Sequence, residues 1–246
     1  MHEVTACCPV LELRQYTLHP GRRDELIELF EHEFVETQEA AGMRLVGQFR
    51  DLDRPDRFVW IRGFADMPAR KEALQAFYGG PVWQAHREAA NATMIDSDNV
   101  LLLRPVGADG TFGPVREPRA PIGANGRAAS RIVATIHAFD APVDEGFRQF
   151  FDDEAMPALE AAGARSFARL ETESAENTFP RLPVRAGEHV FVSFARFADD
   201  AALGEADARL AASKRWTGGI EAELRKRLKS APERLVLEPT ARSLLR

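Results

Sequence analysis

Glu12, Arg14 and Tyr16 alternate along "LELRQYTLHP" (residues 11–20), the spacing that sets side chains on one face of a β-strand. A carboxylate, a guanidinium and a phenol held side by side can grip an anion, donate a hydrogen bond and move a proton. Trp60 and Arg62 alternate in the same way on "FVWIRGF" and would add an apolar wall and a second guanidinium, suited to a planar carboxylate or an enolate oxygen. His137, on "IVATIHAF", supplies an imidazole that can act as a base near neutral pH. His137, Glu12 and Tyr16 are therefore the candidate proton-moving groups, and Arg14, Trp60 and Arg62 the candidate ligand-binding ones. The competing reading is structural: Glu12 simply pairs with Arg14 or Arg62 as an ion pair.

Other chemistries lack a signature. No GxGxxG, P-loop, HExxH or GxSxG pattern occurs, so nucleotide cofactors, zinc and the common hydrolase mechanisms have no support, and no cofactor or metal is expected. A formal charge of -6 argues against a nucleic-acid partner, which would want a basic field. The basic run "LRKRLK" (224–229) ends a helical stretch, where cations suit the helix dipole. No apolar run is long enough to span a bilayer, so no membrane is expected and the cytoplasm is the expected location. Adjacent Cys7 and Cys8 cannot close a useful loop and read as reduced thiols.

The elements that must position these residues come in two copies. "LELRQYTLHPGRRDELIELF" matches "IVATIHAFDAPVDEGFRQFF" in kind, with Tyr16 over His137 and Gly42 over Gly163, each pair 121 residues apart. "FVWIRGFADM" matches "FVSFARFADD", with Phe64 over Phe197 and Trp83 over Trp216, now 133 apart. The offset steps once, which places a 12-residue insertion between Leu170 and Val190. Each copy reads strand, helix, two strands joined by a turn, a helical region and a closing strand. In the first copy Leu26, Leu29, Phe30 and Phe34 keep one helical face and Gly42 is a natural stop.

The order β-α-β-β-α-β predicts an α+β chain of two tandem ferredoxin-like units. Residues 1–108 form the first and 129–246 the second, with a Gly/Pro-rich linker at 109–128 and an extended hairpin at 171–188. Each unit leaves one sheet face uncovered, so the antiparallel sheets are expected to face each other and close one α+β barrel. On that scheme Leu11 and Leu13 pack on the helices, and Glu12, Arg14, Tyr16, Trp60 and Arg62 line an enclosed lumen. The matching second-copy positions are Val133, Thr135, His137, Ser193 and Ala195, so one wall is bulky and charged and the other small. The hairpin, with Phe179 and Leu182, is expected to be an arm for a second chain rather than a lid, which points to a homodimer.

"ELRQYTLHPG", Trp60 on its strand, the tryptophan of "GGPVWQAH", "NTFPRLPVRAGEHVFVSFARFAD" and "RLVLEPTARSLLR" together resemble the NIPSNAP family in its bacterial tandem form. The resemblance spans nearly the whole chain and implies the dimeric α+β barrel fold, without bringing a reaction. More distant relatives of that fold include cofactor-free monooxygenases, haem degraders and simple binding proteins. Haem-binding relatives use a helical histidine, which here makes His86 a ligand-binding candidate, although it has no second ligand-like partner at a diagnostic spacing. The expected function is a lumen that binds, and can transform without a bound cofactor, a small anionic or carbonyl-bearing organic molecule. The alternatives are a non-catalytic interaction or scaffold protein with a structural polar lumen, and a haem-binding or monooxygenase-like member of the same fold.

Overall fold

The computed structural model describes residues 8–107, 110–113 and 118–246. The first half runs β1 (Val10–Leu18), α1 (Arg23–Leu29), a π-helical turn at Phe30–Phe34, α2 (Val35–Ala40), β2 (Arg44–Asp51) and β3 (Arg57–Phe64). It continues through α3 (Met67–Gly79), α4 (Pro81–Asn91), the short β4 (Met94–Asp96) and β5 (Val100–Pro105). The second half runs β6 (Arg131–Phe139), α5 (Glu145–Phe150), a π turn at Phe151–Ala155, α6 (Met156–Ala162), β7 (Arg165–Thr172) and β8 (His189–Phe197). It ends with α7 (Asp200–Ala212), a π turn at Trp216–Ile220, α8 (Glu221–Arg227) and β9 (Glu233–Pro239).

Local chemistry repeats with the elements. Asp66 and Asp199 cap α3 and α7 in the same way, each carboxylate accepting from the backbone N–H three residues on, Ala69 and Ala202. Gly42 and Gly163 both take positive φ, 97° and 114°, where the first helix of each half must turn back into a strand. The hairpin register shifts between Leu45 and Gly47 in one half and between Ser166 and Ala168 in the other, the equivalent place.

The strands close on themselves. The order β3-β2-β9-β6-β8-β7-β5-β1 returns to β3 through the β1–β3 pairing, giving a closed eight-stranded antiparallel barrel with β4 at its edge. The halves meet along two seams, β2 with β9 (Phe49 opposite Pro239) and β5 with β7 (Leu103 opposite Thr172). Inside lies an apolar core that includes Leu11, Leu13, Ile61, Ile132, Val192 and Leu237. The helices pack on the outside. Part of the expected linker belongs to this core as well, because Phe112 inserts into it against Phe194.

Strand parity is therefore the reverse of the expectation. Leu11 and Leu13 face the barrel interior, whereas Tyr16 and Trp60 pack with Leu26, Phe30 and Leu74 in the layer between the sheet and the first-half helices. The reason is size: eight strands enclose a space that side chains fill, so no lumen is left for polar groups. Both faces of the sheet are covered, which lets charged residues be enclosed on the outer one.

The hairpin insertion folds back onto its own chain rather than projecting as an arm. Thr178 Oγ1 donates to the Met67 carbonyl at 3.3 Å, Arg185 N–H donates to the Val100 carbonyl at 2.9 Å, and Phe179 stacks on Tyr78 with centroids 6.0 Å apart. The second half thus straps the helical layer of the first. Cys8 is disulfide-bonded, which corrects the reading of a reduced thiol there, and Cys7 lies outside the described residues. No helix among the described residues is long and apolar enough to cross a membrane.

Candidate functional site

Two compartments lie between the sheet and the helices, one in each half, and they differ in content. In the first half, Glu12 and Arg62 are direct cross-strand partners on β1 and β3, as are Arg14 and Trp60. Arg14 Nη1 and Arg62 Nε both donate to Glu12 Oε2 at 2.7 Å, and Arg70 Nε, from α3, donates to Oε1 at 2.7 Å. Arg14 Nε also donates to the Tyr16 hydroxyl at 3.0 Å, and Arg62 Nη1 donates to Gln38 Oε1 at 3.1 Å. All of these side chains are shielded from solvent, with Glu12, Arg62 and Arg70 at 0% exposure. Both guanidiniums lie within cation–π range of the Trp60 ring, Arg14 at 5.4 Å and Arg62 at 5.0 Å from its centroid.

Burial alone would push the Glu12 carboxyl up, but the charges of Arg62, Arg14 and Arg70 outweigh it and hold the group well below the usual carboxylate range. Burial pushes the Tyr16 phenol up, although the Arg14 charge opposes this. A carboxylate kept ionised by three cations is suited to balancing charge rather than carrying a proton. The ion-pair reading of Glu12 therefore has direct geometric support, and it involves both predicted arginines together with Arg70.

In the second half the equivalent compartment is open. A cavity of about 870 Å³ lies between the sheet and α6–α8, lined on the strand side by Val133, Thr135, His137, Ser166, Ser193 and Ala195. Trp216 and Leu210 face it from the helices. The size suits a small organic molecule. His137 is buried at 4% exposure with Phe147, Phe151 and Phe191 around its ring at 5.9–6.1 Å. Burial lowers its pKa to about 4, partly offset by a backbone hydrogen bond at Phe191, so the ring is neutral at neutral pH. Its Nδ1 has no hydrogen-bond partner among the described residues. The charged groups of the cavity sit at its exposed rim and largely neutralise one another, Arg234 with Asp207 at 2.9 Å and Arg225 with Glu221 at 2.7 Å.

The candidate residues thus divide between compartments. Glu12, Arg14, Tyr16, Trp60 and Arg62 come together under the first-half helices, and His137 lies in the other half instead of facing Arg14. His86, on α4, stands apart from both, with Nε2 3.5 Å from Glu33 Oε2 and its ring edge-on to Phe34. Sequence reading missed Arg70. Its signal was present: Arg70, Ala73, Leu74 and Phe77 form the buried face of α3, so an arginine sits at a core position of an apolar stripe. Asn177, whose Oδ1 accepts from Arg70 Nη1 at 3.0 Å, carried no such mark.

Residues 11–108 match the NIPSNAP family model. No curated protein matches the chain by sequence. Among solved structures, a candidate monooxygenase from Fusobacterium nucleatum is 9% identical, with 95% of this chain and 93% of that chain covered, at a TM-score of 0.54. An anthrone oxidase-like protein is 14% identical over 94% of this chain and 91% of its own, at a TM-score of 0.52. A NIPSNAP family protein from Agrobacterium tumefaciens is 22% identical over 40% of this chain and 86% of its own, at a TM-score of 0.38. The two full-length likenesses share this chain's fold.

Proposed function

Taking as premise that the chain belongs to the NIPSNAP family through residues 11–108, we propose that it binds a small organic molecule in the second-half cavity, outside the barrel. The two halves are read as ferredoxin-like units, of which the first encloses the Glu12–arginine cluster and the second holds the open cavity that receives this ligand. One observation carries the proposal: the cavity exists because the second half has small residues where the first has large ones. Ser193 and Ala195 stand where Trp60 and Arg62 stand, and the fold around them is otherwise repeated.

The inner wall favours a carbonyl- or hydroxyl-bearing molecule with a flat apolar body over an anion. Its polar groups are neutral ones, His137, Thr135, Ser166 and Ser193, and its apolar groups include Phe151 and Trp216. The backbone tie at Phe191 occupies at most one nitrogen of the His137 ring, leaving the other to hydrogen-bond the occupant. A neutral imidazole in that place can accept a hydrogen bond from a hydroxyl or donate one to a carbonyl oxygen, while its lowered pKa makes it a weak base, so its part is to hold and orient the molecule without a bound cofactor. The oxygenase and oxidase names of the two full-length structural likenesses support a reading in which the molecule is then transformed.

Thermal-shift titration with aromatic ketones and phenols tests the binding. Saturable stabilisation is expected, weakened in His137→Gln and abolished in Ser193→Trp. Stabilisation that survives Ser193→Trp would put the ligand elsewhere and end the proposal.

A further inference from the structure

The first-half compartment holds more positive charge than its partners account for. Among the described residues Arg14, Arg62 and Arg70 share a single carboxylate, Glu12. Three buried cations on one anion leave an excess of two charges, and the rings of Trp60 and Phe64 stacked on them carry none. Donors are also left over: Arg62 Nη2 and Trp60 Nε1 are buried with no hydrogen-bond partner among the described residues. Arg70 Nη2 lies 2.7 Å from Glu12 Oε1 but is not aligned for a hydrogen bond to it. Buried donors of this kind require a partner, because each unmet N–H carries its full desolvation cost.

The second half is an internal control on whether the fold itself needs this cluster. The equivalent positions are Val133, Thr135, Ala195 and Leu203, and the same strands, caps and bulge form around them without a carboxylate or a guanidinium. The cluster is therefore an addition to the repeat. The strap is a second addition confined to one half, and it lands on the cluster: Asn177 accepts from Arg70, and Thr178 donates to the start of α3.

We propose that the compartment under α1–α4 is an occluded binding site for a small oxyanion, a carboxylate or a phosphate, with residues 173–188 as its cover. Arg62 Nη2 and Arg70 Nη2, the one nitrogen on each guanidinium left without a hydrogen bond among the described residues, would donate to the anion's oxygens, as charge-assisted bonds to an oxyanion. Glu12 fixes the orientation of the three guanidiniums, and the excess charge draws the ligand in. The proposal is independent of the cavity in the second half.

Full-length protein is titrated with acetate, malonate and inorganic phosphate, each against sodium chloride at matched ionic strength, and followed by thermal melting and calorimetry. At least one oxyanion is expected to raise Tm saturably, by roughly 5 °C at about a hundredfold excess over its Kd. The arm that responds most strongly identifies the carboxylate or the phosphate class. The response is expected to disappear in Arg62→Met and to persist in Ser193→Trp, whose change lies in the other compartment. Should Arg62→Met fail to fold, Asn177→Ala takes its place, with an expected loss of about tenfold in affinity as the cover loosens. Responses no larger than those to chloride overturn the proposal. So does an oxyanion response that Asn177→Ala and Arg62→Met leave intact, or one that Ser193→Trp removes.

Discussion

Trp60 and Ser193 occupy the same place in the two halves of the barrel: Trp60 stands opposite Arg14 and Gln48, and Ser193 stands opposite Thr135 and Arg169, the residues equivalent to those two. With the backbone register conserved, what differs is volume and charge. The indole packs edge-on to Phe30 at 4.8 Å and lies within cation–π range of two guanidiniums, whereas the serine borders open space. The same order of elements thus surrounds a charged cluster in one half and an open cavity in the other.

Filling the receptacle should leave the fold intact. Ser193→Trp places an indole in a cavity of about 870 Å³ at a position where the other half already carries one. Stability is expected to rise by about 1 kcal/mol from cavity filling, measured by denaturant melts. A loss of more than about 2 kcal/mol would indicate overpacking instead and would show that the halves are not interchangeable at this position.

The reverse change should be costly. Trp60→Ser removes a buried ring from a packed aromatic layer and strips the π faces from Arg14 and Arg62, so a loss of roughly 3–5 kcal/mol is expected. Near-neutral stability would mean that the layer relaxes around the gap and that its packing is looser than the contacts imply.

The two-copy pattern was legible in matched stretches and paired positions, among them Gly42 and Gly163, which both take positive φ at the same turn; the matching caps at Asp66 and Asp199 and the bulge in each hairpin came only with the structure. The side of the sheet on which Glu12, Arg14 and Tyr16 lie was not legible. Alternation separates two faces but does not name them, and here both faces are buried, one by the barrel and one by helices. Parity alone puts Glu12, Arg14 and Tyr16 on one face of their strand and Trp60 and Arg62 on one face of theirs; His137 was drawn into the same group only because a lumen was assumed to join the halves. The contrast between Trp60 with Arg62 and Ser193 with Ala195 was visible in the sequence, yet its meaning, a cavity beneath one set of helices, depended on the orientation.

His137 should give the protein an acid-sensitive step. Its folded pKa is lowered from 6.5 to about 4, so between those values the unfolded chain binds more protons and stability rises with pH. On acidification, stability is lost from about pH 6.5 downward, by roughly 3 kcal/mol once pH 4 is reached. The rings at 5.9–6.1 Å from the imidazole carry no charge to relieve this. In His137→Gln the difference in stability between pH 6.5 and pH 4 should shrink by that amount in denaturant melts; an unchanged pH profile would show that the ring is solvated.

The Glu12 cluster should respond unequally to losing an anion and losing a cation. Glu12→Gln leaves three buried guanidiniums without a counter-charge and is expected to cost roughly 3–5 kcal/mol at pH 7. Arg14→Met removes one cation from a set that has too many, while Glu12 keeps its bonds from Arg62 and Arg70 at 2.7 Å, so a change within about 1 kcal/mol is expected. In the double mutant the missing Arg14 should recover part of the Glu12→Gln cost, because less unbalanced charge is left buried. The same logic fixes the pH dependence of the pair. Glu12 titrates below its ordinary range in the folded state, so its contribution is complete above about pH 4.5 and is lost as pH falls further, and Glu12→Gln should be flat there. Equal costs for Glu12→Gln and Arg14→Met would mean that the charges are already balanced, and that the excess on which the oxyanion site rests does not exist.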